Sequence, residues 1–234
     1  MDQLAMPLIY KKGDQMLTAS NEVLFLRTIP PEQCETLNRQ LEIEVKRNCN
    51  QKQLTTYWQT SGDWLNGTAE PIGKLRSILK DAINHYLINI FNRNHAHLDG
   101  LRLSKNFRHE LKIWGWGGGS VGESSNPPHV HRNAHLSGIY YIKGLSKTDV
   151  DPTDYSGCVT FIFGDSAQEV LMGSYAATNL FPIHPIPGTL VIFPSFLRHF
   201  VHRFRFRQFE RLYVSFNCQF STPLEAMSDP TRKR

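Results

Sequence analysis

The sequence has few cysteines, and their arrangement does not predict a disulfide framework. Cys34, Cys49, Cys158 and Cys218 are scattered through 234 residues without a CxxC pair, whereas disulfide scaffolds are short and dense in cysteine. We therefore expect a reducing compartment, the cytoplasm. The chain also lacks an apolar run long enough to span a bilayer. Its N-terminus, MDQLAMPLIYKKGDQ, has no basic segment followed by an apolar one, so we expect no signal peptide and no membrane association.

Acidic residues are fewer than basic ones, 21 against 26, which gives a net charge of +5. This excess mildly favours anionic partners. Part of it lies in RFRFRQFER (203–211) and in TRKR (231–234). Nucleic acid is one candidate partner, but a solvated basic face is the commoner explanation of such a pattern.

The first hundred residues predict one strand and two helices. EVLFL (22–26) predicts a short strand, and PPEQCETLNRQLEIEVKRN (30–48) has apolar residues at a spacing of four, which is one face of a helix. The segment from 70 to 94 carries the strongest helical stripe in the chain. We found no internal repeat or long linker, and we therefore predict a single domain over residues 1–234.

The character of the sequence changes after residue 100. From about 107 to 220, short apolar runs alternate with Gly, Pro and Asp, a rhythm typical of an all-β sandwich or barrel. We therefore predict a mainly β protein of the α+β class, with the N-terminal helices packed on one sheet. Residues 143–157 predict a turn-rich loop, 165–185 form an insertion that we cannot assign, and 221–234 form a polar tail.

Three histidines precede an apolar run in NPPHVHRNAHLSGIYYI (126–142). Side chains alternate along an extended chain, so His129 and His131 point the same way and can chelate one metal ion. A polar strand entrance is the plainer explanation of HxH alone. His135 has the same parity but follows a predicted turn. GTLVIFPSFLRHFVH (188–202) offers His199 or His202 as a distal ligand at the end of a strand.

RLYVSFNCQF (211–220) alternates polar and apolar residues. Arg211, Tyr213, Ser215 and Asn217 fall on one face. This pattern fits an ordinary strand with one solvated face. It also fits a strand whose polar face lines a cavity, where Arg211 with Ser215 would hold a carboxylate by charge-assisted hydrogen bonds.

The order and spacing of HVHRNAHLSGIYYI, CVTFIF, GTLVIFPSFLRHFV and RLYVSFN resemble the Fe(II)- and 2-oxoglutarate-dependent oxygenases. Within this superfamily, the sequence resembles a bacterial and phage branch of 2-oxoglutarate–Fe(II) oxygenases that is related to the prolyl hydroxylases. The resemblance covers about residues 107–220 and implies a double-stranded β-helix, or jelly roll. It also implies an Fe(II) cofactor, 2-oxoglutarate and O2 as cosubstrates, and hydroxylation of a substrate with succinate and CO2 as co-products.

The resemblance also assigns roles to particular residues. His129 and His199 take the places of the two histidine ligands of iron. Arg211 takes that of the basic residue that binds the far carboxylate of 2-oxoglutarate. Tyr141 matches a tyrosine that hydrogen-bonds the same carboxylate, and we add Ser215 as a lesser partner.

His131 departs from most of the superfamily, which has Asp or Glu at this place. The branch compared here carries HxH, so His131 is expected to be the third iron ligand. A carboxylate remains the alternative, and Asp151, Asp154 and Asp165 lie in the right region of the chain. A 2-His-1-carboxylate triad is the usual signature of such oxygenases.

His135, Asn217 and Trp116 are expected behind the ligands or in contact with substrate. Trp114, Trp116 and the run Gly117–Gly119 would form a flexible rim, although a plain loop with core aromatics fits equally well.

Two other functions fit parts of the pattern. A cupin-like three-histidine metalloenzyme would use no 2-oxoglutarate and would not need Arg211 or Tyr141. A non-catalytic jelly-roll binding module would bind no iron. The prime substrate, whether a protein side chain, a small metabolite or a nucleobase, cannot be read from the fold.

Overall fold

The structure, a computed structural model, describes residues 13–19, 22–49, 57–98, 102–122, 124–163, 180–204 and 210–221. The predicted polar tail, apart from Ser221, and most of the 165–185 insertion lie outside the described residues. Within these ranges, no helix has the length and apolar character needed to cross a membrane.

Both predicted helices are confirmed. Helix α1 runs over Pro31–Asn48 and α2 over Glu70–Asn94. Each begins with a proline in its first turn, where the missing N–H has no intrahelical partner to lose. The apolar stripe of α1 and that of α2 are buried together against one sheet. A short 3-10 helix, Trp64–Asn66, precedes α2.

The strands follow in chain order: β1 (Gly13–Ala19), β2 (Glu22–Thr28), β3 (Tyr57–Gln59), β4 (Glu110–Val121), β5 (Asn126–His129), β6 (Leu136–Lys143), β7 (Val159–Ile162), β8 (Leu180–Ile183), β9 (Thr189–Pro194), β10 (His199–Val201) and β11 (Glu210–Ser221). The predicted loop 143–157 holds one short 3-10 helix, Lys147–Asp149, and turns.

The strands form two antiparallel sheets. The larger has the order β1-β2-β9-β6-β11-β4-β3, and the smaller has the order β5-β10-β7-β8. Alternation along β11 divides its side chains as the sequence predicts: Leu212, Val214, Phe216 and Cys218 pack with the helices. Its other face is also buried, which excludes the solvated-face interpretation. There, Arg211 is only 5% exposed.

The glycine run is a correction to the sequence analysis. Gly117–Gly119 lies inside β4 and is not a flexible loop. Glycine is required there because neighbouring side chains occupy the space that a Cβ would need. The methyls of Val45 fill that space at Gly117, the ring of Trp58 fills it at Gly119, and the Tyr213 ring would lie 2.7 Å from a Cβ at Gly118.

Candidate metal and cosubstrate site

The register of the smaller sheet brings histidines from distant parts of the chain together. His129 ends β5 and His199 begins β10, and the two are paired directly across these strands. His131 follows β5, and its backbone N–H donates to Ser195 O at 2.9 Å. One ring nitrogen from each histidine lies within 4.8 Å of the other two. At this separation, small shifts of the three rings would let one metal ion bind all three nitrogens.

Each of the three imidazoles has its Nδ1 hydrogen-bonded to a carbonyl-type oxygen. His129 bonds Pro127 O at 2.8 Å and His199 bonds Leu197 O at 2.9 Å. His131 bonds the Asn217 side-chain oxygen at 2.8 Å. Because these oxygens can only accept, Nδ1 must carry a proton, and in the neutral form of each ring Nε2 is therefore the atom with the lone pair. This is the tautomer that a metal-ligating histidine needs.

Burial keeps two of these imidazoles neutral. Desolvation lowers the pKa of His199 to about 3; the bond to Leu197 O opposes this shift, and His129 and His131 reinforce it. Desolvation also lowers the pKa of His131 below its ordinary value. Neutral imidazole is the ligating form, so both rings are ready for a cation at neutral pH.

No carboxylate joins the cluster among the residues that the structure describes. Asp151 Oδ1 accepts from the backbone and hydroxyl of Thr153, and Asp154 Oδ1 accepts from the Ser156 N–H. All three bonds join residues two apart in the chain and are local turn contacts. Asp165 lies outside the described residues.

The structure separates the other histidines from the cluster. His202 Nε2 is hydrogen-bonded to Thr160 Oγ1 at 2.9 Å, and His202 lines a different groove. His135 is exposed and lies outside the cavity lining; its Nδ1 accepts from the Phe220 N–H at 3.1 Å. Of the two candidates for a distal ligand, the fold therefore brings His199 and not His202 to the HxH pair.

A cavity between the sheets joins the histidine cluster to Arg211. Its walls include the predicted site residues Trp116, Tyr141 and Ser215. The remaining lining residues are Tyr57, Ser124, Ser125, Asn126, Ile139, Val201 and Tyr213. Trp116 lies beside the histidine cluster, with its ring centroid 6.4 Å from that of His131 and the two ring planes 14° apart.

Arg211 is a buried cation without an anionic partner among the described residues. One guanidinium N–H donates to Gly157 O at 2.9 Å, but the buried Nε has no hydrogen-bond partner in the part of the chain that the structure describes. The guanidinium also lies 5.3 Å from the Tyr213 ring. Burying an uncompensated charge is costly, so this arrangement suits a site that receives an anion. Nearby, burial raises the pKa of Tyr141, whose hydroxyl therefore stays a neutral donor.

The sequence analysis missed two tyrosines of the cavity. Tyr213 lies on the polar face that the alternation in residues 211–220 predicts, and this position could have identified it as a cavity residue. Tyr57 belongs to β3, which reaches the cavity by pairing with β4. A three-residue strand so far from its partner in sequence gives no short-range signal.

Comparison with known proteins matches residues 116–217 to the family described as "Putative 2OG-Fe(II) oxygenase". No curated protein matches this chain. A solved prolyl-4-hydroxylase from Pseudomonas putida has a similar fold, with a TM-score of 0.52 and 16% identity over 85% of this chain and 93% of that one.

Two further structures show the same likeness. HygX from Streptomyces hygroscopicus, solved with nickel and 2-oxoglutarate bound, has a TM-score of 0.51 and 12% identity over 82% of each chain. SnoN, a non-heme alpha-ketoglutarate-dependent epimerase from nogalamycin biosynthesis, has a TM-score of 0.51 and 10% identity over 89% of this chain and 86% of that one. At such identities the likeness is one of fold, and the fold alone does not select a reaction.

The part of the chain that this family model matches is similar to the 2-oxoglutarate- and Fe(II)-dependent oxygenases, which are oxidoreductases. Residues 116–217 carry the pattern of the 2OG-Fe(II) oxygenase family named above, and the resemblance seen in the sequence is confirmed.

Proposed function

We propose that the protein is a dioxygenase that hydroxylates a C–H bond of a substrate with 2-oxoglutarate and O2. In the balanced reaction, one oxygen atom enters the new hydroxyl group and the other enters succinate, and CO2 leaves from the 2-oxo acid. The observation that carries this proposal is the cavity itself: three imidazoles line one part, and another part is lined by a buried arginine that has no anionic partner among the described residues.

His129, His131 and His199 would hold the iron. The hydrogen bonds at Nδ1 leave Nε2 as the ligand atom of each neutral ring, and they fix the planes of the rings before any ion arrives. Fewer rotamers are then lost on binding, which favours affinity. Bound iron would supply the centre at which O2 is reduced while 2-oxoglutarate is oxidised.

Arg211, Tyr141 and Ser215 would hold the far carboxylate of 2-oxoglutarate. The Nε–H of the guanidinium has no acceptor among the described residues and can donate to an anion, and a carboxylate matches its planar fork. Tyr141 and Ser215 add neutral hydroxyl donors from the same cavity wall. Together, these groups would orient the cosubstrate and replace the water that it loses.

This arrangement argues against both rival functions. A cupin-like metalloenzyme without 2-oxoglutarate has no use for a buried arginine that no described carboxylate neutralises. A non-catalytic binding module has no use for three imidazoles held in the ligating tautomer. Burying these groups without such a use would only cost stability.

The same proposal extends to the architecture and the compartment. We propose that the two antiparallel sheets form a double-stranded β-helix and that the helices and sheets are one domain. In support, α1 and α2 share a continuous core with the larger sheet. The four cysteines are free and buried, which supports the predicted cytoplasmic location.

Two measurements test the function. Anaerobic Fe(II) protein titrated with 2-oxoglutarate should develop a metal-to-ligand charge-transfer band, and admission of O2 should release succinate. A screen of protein, metabolite and nucleobase substrates for faster 2-oxoglutarate turnover would then identify the substrate. Iron binding without a band on titration would favour the cupin-like rival, and no iron binding would favour the binding module.

A further inference from the structure

A buried chain of hydrogen bonds lies behind His131. Asn217 Oδ1 accepts from His131 Nδ1 at 2.8 Å and from the Ser137 hydroxyl at 2.7 Å. The Ser137 hydroxyl oxygen lies 2.8 Å from that of Ser195. All three partners are at most 7% exposed, so water cannot easily substitute for any of them.

The bonds of this chain have a direction. Ser137 has one hydroxyl proton and gives it to Asn217, so the bond between the two serines must be donated by Ser195. Two donors therefore converge on one amide oxygen. The reverse direction is also chemically complete: if the amide turns over, its NH2 group donates to His131 Nδ1 and to Ser137, and Ser137 donates to Ser195.

The two directions have opposite effects on the metal site. In the observed one, His131 carries its proton on Nδ1 and offers a lone pair at Nε2. In the reversed one, Nδ1 accepts, the proton sits on Nε2, and His131 can no longer ligate. His131 is also the residue that replaces the carboxylate of most of the superfamily, and a carboxylate needs no tautomer to be chosen for it.

We propose that Asn217 is a positioning residue that sets the tautomer of His131, with Ser137 and Ser195 holding its amide in the observed direction. Metal binding and the direction of the chain are thus linked, because the ion can bind only the state in which Oδ1 faces His131. The proposal rests on the proposed function, because the tautomer of His131 matters only if His131 ligates a metal ion. The tautomer itself is a property of the metal-free protein.

The test combines nitrogen-15 NMR of the His131 ring in the metal-free protein with Co(II) titration. Wild type should show the Nδ1–H tautomer. Asn217→Leu removes the acceptor, so the Nε2–H form should appear and Co(II) affinity should fall about 10- to 100-fold. Asn217→Asp can only accept, so it should keep the Nδ1–H form and bind Co(II) at least as tightly as wild type.

Two further variants complete the design. Ser137→Ala is a small change that leaves the amide free to turn over, so it should give a mixture of tautomers and an intermediate loss of affinity. It decides the question if Asn217→Leu does not fold. Asn84→Leu is the matched control: Asn84 is a buried amide that accepts from the backbone N–H and ring of His109, and its loss should change neither readout.

An unchanged tautomer and unchanged Co(II) affinity in folded Asn217→Leu, or in Ser137→Ala if that variant alone folds, would overturn the proposal. Failure of the proposed function looks different, because wild-type protein would then bind no metal while its His131 tautomer could still be read.

Discussion

Replacing Arg211 by alanine tests the anion-binding end of the cavity. Arg211 is 5% exposed and donates to Gly157 O, and its Nε has no partner among the residues that the structure describes. In the metal-free and ligand-free protein, the substitution removes a buried charge that no described residue neutralises. We therefore expect the folded state to survive it, and we expect the loss to appear in 2-oxoglutarate binding.

The size of that loss follows from the burial. Removing one partner of a buried, hydrogen-bonded charge pair costs about 2–5 kcal/mol. Since 1.4 kcal/mol is a factor of ten, the dissociation constant of 2-oxoglutarate should rise about 30-fold to about 4,000-fold. Arg211→Lys keeps the charge but loses the planar fork, so its effect should be smaller. Tyr141→Phe removes one hydrogen bond to a charged group, about 1.5–3 kcal/mol.

The assay is the titration of 2-oxoglutarate into anaerobic Fe(II) protein, followed by the charge-transfer band. Arg76→Ala is the control, because Arg76 is also partly buried and donates to two backbone carbonyls, Leu65 O and Gly67 O, at 3.1 Å. It lies on α2, away from the cavity. Equal dissociation constants for Arg211→Ala and Arg76→Ala would refute the assignment of the carboxylate site.

Three further predictions concern the metal, acid and the glycine run. His199→Ala should abolish stoichiometric Fe(II) or Co(II) binding in equilibrium dialysis, whereas His202→Ala should leave it intact; the reverse result would reassign the ligand. Because the native pKa of His199 is about 3 against an ordinary 6.5, the metal-free protein should lose up to about 1.4 kcal/mol of unfolding free energy per pH unit as pH falls below 6.5. Urea unfolding should show this slope, and His199→Ala should flatten it. Gly118→Ala would place a methyl group against the Tyr213 ring and should weaken 2-oxoglutarate binding. Gly119→Ala, on the face that packs with the helices, should lower the melting temperature without changing that binding. Equal losses of binding in the two variants would contradict this assignment of faces.

The sequence was informative where a feature depends on residues close together along the chain. The polar face of β11 follows from the alternation of side chains along a strand. The structure confirms that one buried face carries Arg211, Tyr213, Ser215 and Asn217. The helices follow from apolar stripes, and they pack on one sheet as expected. HxH requires only that an extended chain sends alternate side chains the same way, and the structure does bring His129 and His131 into one cluster.

The glycine run shows why other features could not be predicted. Three consecutive glycines ordinarily weaken a strand and favour a loop. In the fold, they are strand residues because Val45, Trp58 and Tyr213 occupy the space beside them. These three residues come from a helix, an edge strand and a central strand, and the sequence around the glycines does not predict contacts with them.

The hydrogen-bonded chain behind His131 also depends on residues that are distant in the sequence, and its functional consequence is clearer. Ser137 is 58 residues from Ser195 and 80 residues from Asn217 along the chain, yet the three hydroxyl and amide groups form one hydrogen-bonded chain. A motif shows that a histidine stands where a carboxylate is usual, but it does not show what this exchange requires. A carboxylate ligates through either oxygen, whereas a histidine must have its proton held on the far nitrogen. The neighbouring strands β6 and β11, together with the turn after β9, supply that acceptor and its support, and they connect only in the folded protein.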